Sequence, residues 1–219
     1  MLSAVILAAG DSKRMGRPKA LLEWRGRGFL ETVCAALRLA GVEERIAVLG
    51  RASEEILAGW SPAGEKTAVN PRPEEGQLSS LRTGLEAAAQ ASEAFMVCLV
   101  DQPAIAPRTY KDIIAFRSAH KDSIIIPRVP RPAAQSQVTA DSPLSTLHSP
   151  LSFKRGHPII IPAIYRQLCF EGPLEAGLHW VTHHPSVKVA DLEVEDAGII
   201  LDIDIPEDYE ELRFGGFKD

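Results

Sequence analysis

Leu7-Ala8-Ala9-Gly10-Asp11-Ser12-Lys13-Arg14-Met15-Gly16-Arg17-Pro18-Lys19 places a glycine-framed, cationic turn directly behind the short apolar run Ala4–Leu7. Backbone N–H groups in a turn of small residues can converge on phosphate oxygens, and Lys13, Arg14, Arg17 and Lys19 face only Asp11 as a local counter-charge. The stretch therefore predicts a strand, a phosphate-binding loop, and an α/β sheet with a ligand beyond its carboxyl edge. The spacing Gly10, Gly16, Lys19, with Ala20 following, is neither Gly-x-x-x-x-Gly-Lys-Ser/Thr nor Gly-x-Gly-x-x-Gly.

Outward from this turn, apolar runs recur at Ile46–Leu49, Thr67–Val69, Phe95–Val100, Ser123–Ile126, His157–Ile161, Val187–Val189 and Ile199–Leu201. Most are apolar on both faces, as buried parallel strands are. Between them, Phe29, Leu30, Val33, Cys34 and Leu37 form a helical stripe ending at Gly41, and further helices are predicted over Gln77–Ala89, Pro107–Ala119, Ala163–Cys169 and Pro206–Leu212. Alternating strands and helices predict an α/β class with a mostly parallel sheet. Residues 127–152 carry Pro127, Pro130, Pro132, Pro143 and Pro150, several serines and no aromatic residue, and are expected to form a mobile loop or insertion.

At 219 residues, 45% hydrophobic, the chain is expected to form one domain over 1–219 without staples. Its formal net charge of −5 argues against coating nucleic acid or an anionic membrane, so any basic site must be local. Cys34, Cys98 and Cys169 are far apart, which excludes a disulfide framework and a Cys-x-x-Cys metal site. The apolar N-terminus is too short to span a membrane and lacks a basic lead-in, so the expected location is cytoplasmic. His179 and His183 stand four apart, but with no Glu beside His179 they make no zinc-protease signature, and no Gly-x-Ser-x-Gly marks a serine hydrolase.

Four further segments carry chemistry. Asn70-Pro71 precedes Gly76-Gln77-Leu78-Ser79-Ser80-Leu81-Arg82, where the serines could equally cap a helix. Cys98-Leu99-Val100-Asp101-Gln102-Pro103 ends an apolar run in a carboxylate, which could cap a turn or hold a hard cation with phosphate oxygens. Gly156-His157-Pro158 precedes an aliphatic run, and Asp202-Ile203-Asp204-Ile205-Pro206 sets two carboxylates two apart before a helix start, where residues on a strand point the same way.

The string Leu7-Ala8-Ala9-Gly10-x-Ser12-x-Arg14-Met15-Gly16-x-Pro18-Lys19 resembles the signature of the Rossmann-like nucleotidyltransferase superfamily, and the order of the other segments is similar to that of the molybdenum cofactor cytidylyltransferases. The resemblance implies a three-layer α/β/α nucleotidyltransferase domain that moves CMP from CTP to the phosphate of a molybdenum-bearing pterin, releasing pyrophosphate. It implies that Leu7, Ala8, Ala9, Gly10, Ser12, Arg14, Lys19, Asn70, Gly76, Ser79 and Ser80 bind the nucleotide, with Lys19, Arg14 and Asp101 catalytic. Asp101 and Asp204 would hold Mg²⁺, and Gly156 and His157 would meet the acceptor. A transient contact with a molybdenum hydroxylase would hand over the product.

The form Ala8-Ala9-Gly10 favours cytidylyl over guanylyl transfer within this resemblance. Pro73 lies where an aromatic residue is common, Ile205 where threonine is usual, and the chain reads Gly172-Pro173-Leu174-Glu175-Ala176-Gly177 where relatives carry a Gly-Asp-x-Gly-Ala-Arg-like segment. The absent arginine would deprive an acceptor phosphate of a partner. The alternatives are a guanylyl, sugar-phosphate or other small-molecule nucleotidyltransferase, or a non-catalytic cofactor-binding accessory protein.

Overall fold

The computed structural model describes residues 1–130 and 152–215. The strands are β1 (Leu2–Ala8), β2 (Glu23–Trp24), β3 (Arg27–Gly28), β4 (Glu44–Leu49), β5 (Lys66–Val69), β6 (Ala94–Leu99), β7 (Ser123–Pro130), β8 (Phe153–Arg155), β9 (Ile159–Pro162) and β10 (Lys188–Glu193). The helices are α1 (Phe29–Leu39), α2 (Ser53–Gly59), α3 (Gln77–Ala87), α4 (Pro107–Arg117), α5 (Arg166–Glu171), α6 (Gly177–Thr182) and α7 (Pro206–Phe214). The main sheet runs β10-β7-β9-β6-β1-β4-β5, with β8 paired to β7 and β2–β3 forming a separate hairpin.

β5, β4, β1 and β6 are mutually parallel, and β10 is parallel to β7. β9 runs antiparallel to both β6 and β7. The sheet is mixed but mostly parallel, and helices cover both faces. Alternation along β1 divides the core: Ala4, Ile6 and Ala8 pack with α1 and α4 on one side, while Val5, Leu7 and Ala9 pack with α3, α5 and α6 on the other. After β5 the chain crosses back over β1 to lay down β6, so the strand order reverses around β1. A crevice at that reversal is where such sheets seat ligands.

Helix α3 lies so close to the sheet that a Cβ on Gly84 would stand 2.2 Å from Val5 Cγ1 and 2.9 Å from Val48 Cγ2. Helix α1 ends as the sequence indicates: Val42 N–H donates to Leu37 O and Gly41 N–H to Arg38 O, a paired bonding that the +82° φ of Gly41 permits.

Several expectations are corrected. Ile199–Leu201 is not a strand. Asp196 accepts a hydrogen bond from Gly198 N–H and winds Ala197–Ile200 into a 3₁₀ turn. The same carboxylate accepts from Ala106 N–H and Thr109 Oγ1, tying the turn to α4. Residues 127–130 continue β7 and are not loop, and the expectation for residues 131–151 falls outside the described residues. The strand expected at His157 begins at Ile159. Helices α2 and α6 and the β2–β3 hairpin were not anticipated. Among the described residues, no helix is long and apolar enough to cross a membrane.

Candidate active site

The first loop leaves β1 at the sheet's carboxyl edge and is pinned by its own serine. Ser12 sits at a φ of +48°, and its Oγ accepts the Lys19 backbone N–H at 3.0 Å. Met15 N–H closes the turn on Ser12 O. Lys13, Arg14 and Arg17 are exposed, with Lys13 and Arg14 at the cleft, while Lys19 turns inward. Its Nζ lies 3.0 Å from Asp101 Oδ2 and 2.6 Å from Asp204 Oδ1. Asp101 arrives just after β6 and Asp204 just before α7, so three distant parts of the chain meet at one ammonium.

Burial alone would lower the Lys19 ammonium, but Asp101 and Asp204 together outweigh it and raise it above the ordinary lysine value. Burial raises the Asp101 carboxyl above its usual range, with Lys19 offsetting only part of this. Asp204 is more open and is lowered chiefly by its hydrogen bond from Lys19. The lysine is therefore firmly charged, and the two carboxylates differ: one costly to ionise, the other easily ionised.

Above this group lies a cleft of about 480 Å³. Of the residues singled out from sequence, Leu7, Ala8, Ala9, Gly10, Ser12, Arg14, Lys19, Gly76, Ser80, Asp101 and Asp204 line it. Asn70 and Ser79 do not. Asn70 Nδ2 instead donates to Ser79 Oγ and Ser80 Oγ, and its Oδ1 accepts from Arg72 N–H, which fastens the start of α3 to the end of β5. Those two residues position the cleft wall.

Asp202 and Asp204 do not stand on a strand. The backbone there is irregular, and Asp202 Oδ1 accepts from Gln102 Nε2 at 2.8 Å, away from Lys19. Gly156 and His157 lie in a separate cavity of about 240 Å³. A Cβ on Gly156 would stand 1.9 Å from Ile199 O, so this turn packs directly on the one that replaced the expected strand. Burial pushes the His157 imidazole down to about 4, with Asp202 opposing in part.

Sequence reading gave no role to Gln77 or Arg51. Gln77 lines both cavities. Arg51 bonds Asp11 of the first loop at 3.3 Å and Glu74 before α3 at 2.8 Å, linking the two sides of the cleft mouth. Its signal was its position, one residue beyond Gly50 at the carboxyl end of β4.

The chain is similar to several known proteins. The chain is 32% identical over 163 residues to nicotine blue oxidoreductase of Paenarthrobacter nicotinovorans, spanning 74% of this chain and 71% of that protein. It is 36% identical over 114 residues to a probable molybdenum cofactor guanylyltransferase of Deinococcus radiodurans, a match covering 52% of this chain and about half (54%) of that protein. Among solved structures, Rv0371c of Mycobacterium tuberculosis superposes with a TM-score of 0.78 at 27% identity, covering 97% of this chain and 96% of that one. The same protein in complex with manganese gives 0.74 at 26% identity, with 97% of each chain covered. The family model for the MobA-like NTP transferase domain matches residues 4–184, which contain the first loop, the Asn70–Ser80 wall and Asp101, and this chain belongs to that family.

Proposed function

We propose that the protein is a divalent-metal-dependent cytidylyltransferase that moves CMP from CTP to the phosphate of a molybdenum-bearing pterin. The observation that carries this reading is Lys19, held between Asp101 and Asp204 beneath an open, cationic loop. Asp101 and Asp204 present two hard oxygen donors to one point, a set that suits Mg²⁺ because that ion takes its remaining ligands from phosphate and water. Among the described residues no cluster of three or more metal-ligating side chains exists, so substrate oxygens would complete the shell. Bound there, Mg²⁺ would neutralise charge on the triphosphate.

The acceptor is a phosphate oxygen that already carries charge, so no protein nucleophile is required. Its P–O bond to the α-phosphorus forms as the bond to the β-phosphate oxygen breaks, and pyrophosphate leaves with the electron pair. Catalysis then rests on alignment and on stabilising that leaving charge. Lys19 exchanges its carboxylate partners for phosphate oxygens, Arg14 reaches in from the loop, and the Gly10–Ser12 backbone offers N–H donors. Gly76 and Ser80 form the wall toward base and sugar. The enzyme would act in the cytoplasm and pass its product to a molybdenum hydroxylase by transient contact.

Calorimetric titration with CTP, GTP, ATP and UTP, each with and without Mg²⁺, tests the reading. Selective, Mg²⁺-dependent CTP binding supports it. GTP selectivity transfers the reading to guanylyl transfer, as the name of the Deinococcus relative suggests. The oxidoreductase name of the other relative favours a second reading, in which the cleft serves a nucleotide-dependent redox step; NADPH binding in place of all four triphosphates would select that one.

A further inference from the structure

The 240 Å³ cavity sits across α3 from the nucleotide cleft, and Gln77, the first residue of α3, lines both. Gln77 is exposed, so the two spaces are neighbours with one side chain between them. The cavity's floor is apolar, made by Ile126, Ile159 and Leu178. Its mouth carries two imidazoles: His179 and His183 stack with ring centroids 3.8 Å apart and planes 14° from parallel. The stack is fixed from below. His183 Nδ1 lies 3.0 Å from both His179 O and Thr182 Oγ1, contacts that anchor the ring to its own helix. The opposite wall holds His157, whose Nε2 is buried and has no hydrogen-bond partner among the described residues. Arg155 at the rim is committed elsewhere, with Nε 2.8 Å from Asp191 Oδ1.

An apolar floor, a flat stacked face and an unsatisfied imidazole edge together suit a planar heteroaromatic ring with hydrogen-bonding atoms on its rim. A phosphate alone would find little here, because the guanidinium at the rim is already paired. We propose that this cavity seats the ring end of the acceptor, stacked on the His179–His183 pair and read at its edge by His157, so that the acceptor's phosphate reaches the nucleotide past Gln77. The proposal rests on the transferase reading for what the bound ring is for. It assigns His179 and His183 a role that sequence reading had denied them as metal ligands, and it substitutes flat-face recognition for the arginine missing from the segment before α6.

The test uses pterin itself as probe, titrated by its own fluorescence against the full chain, with CTP titrated in parallel by calorimetry. The expected result is that the wild type binds pterin, that His179→Ala/His183→Ala weakens binding about tenfold, and that CTP affinity stays within about twofold of wild type. His157→Phe should also weaken pterin binding, and His157→Gln, which keeps a hydrogen-bonding edge, should recover part of it. Both stacked histidines are exposed, so the double variant should keep its fold. Pterin affinity unchanged in the double variant overturns the proposal, as does a wild type that binds CTP but no pterin. A protein that binds pterin through these histidines but binds no triphosphate upholds the cavity assignment while the transferase reading fails.

Discussion

Between β5 and β6 the sheet is wholly parallel, and the cleft beyond it draws most of its lining from residues 7–20, one unbroken stretch of chain. Between β6 and β10 the sheet is mixed, and the second cavity is assembled from α3, β7, β8, β9 and α6. In the first region the loops after β1, β4 and β6 follow strands buried on both faces, and only the edge strand β5 is open. In the second, short helices and turns lean on one another, as when Gly156 packs on Ile199 O. A site of the first kind has its chemistry written consecutively and changes little around a fixed reaction. A site of the second kind can be rebuilt piece by piece, which suits a surface that chooses an acceptor.

The largest effect should come from the first region. Asp101→Asn keeps the shape of the side chain but removes the charge that faces Lys19. Pyrophosphate release should fall by about 10²–10³-fold, the range for losing one strong electrostatic contact in a dry site, with the circular dichroism spectrum unchanged. Turnover within a few-fold of wild type would remove Asp101 from the catalytic centre and erase the proposed division of labour.

Next in size is a pair of glycine substitutions, one per region. Gly84→Ala pushes a methyl group into Val5 and Val48, two buried side chains with no room to retreat. It should lower stability by roughly 3 kcal/mol, read as a shift in the denaturant midpoint. Gly156→Ala meets a backbone carbonyl instead, so the turn itself must move. Its expected signature is a raised KM for the acceptor with triphosphate affinity retained. Equal damage to both substrates would show that the two regions are mechanically one.

How much of this was legible in the sequence follows the same division. Leu7–Lys19 announced its strand, its loop and its edge of the sheet because the signal was contiguous, and the Gly41 helix end was readable from one residue. The convergence of Asp101 and Asp204 on Lys19 was not readable from local spacing, since it depends on β6 ending and α7 beginning at the same edge. Ile199–Leu201 reads as a strand by composition, but Asp196 three residues earlier captures Gly198 N–H and turns the chain. Helix α6 is one turn and a half of mixed polarity, too short for periodicity to reveal, so the stacking of its two exposed histidines was not readable from their spacing.

A smaller effect tests the second region by pH. His157 is held neutral because burial pushes it to about 4 from an ordinary 6.5, despite Asp202. The unfolded chain takes up that proton below about 6.5, whereas the folded chain refuses it until about 4. Stability is thus undiminished above this window and falls as pH drops through it. Denaturation at pH 7 and pH 4.5 should show His157→Gln losing roughly 2 kcal/mol less than wild type over that interval. Identical losses would mean that the imidazole is freely solvated and reads nothing in its cavity.

The smallest effect belongs to Arg51, where the mouth of the nucleotide cleft is joined by exposed charges. Its guanidinium spans Asp11 and Glu74 with 60% of the side chain open to solvent, and ion pairs so exposed contribute little because water screens them and two long side chains must be held still. Arg51→Ala should therefore change stability by less than about 0.5 kcal/mol. Its binding consequence has the same sense as a lost phosphate contact but is far smaller. Asp11 is the only carboxylate within the cationic loop, and without Arg51 it is left with Lys13 at 3.4 Å, so its charge opposes an incoming triphosphate more strongly. A modest weakening of triphosphate binding that grows as salt is lowered would show Arg51 acting as a shield for Asp11, whereas a weakening of a hundredfold or more would make it a direct phosphate ligand and extend the cleft's machinery to the end of β4.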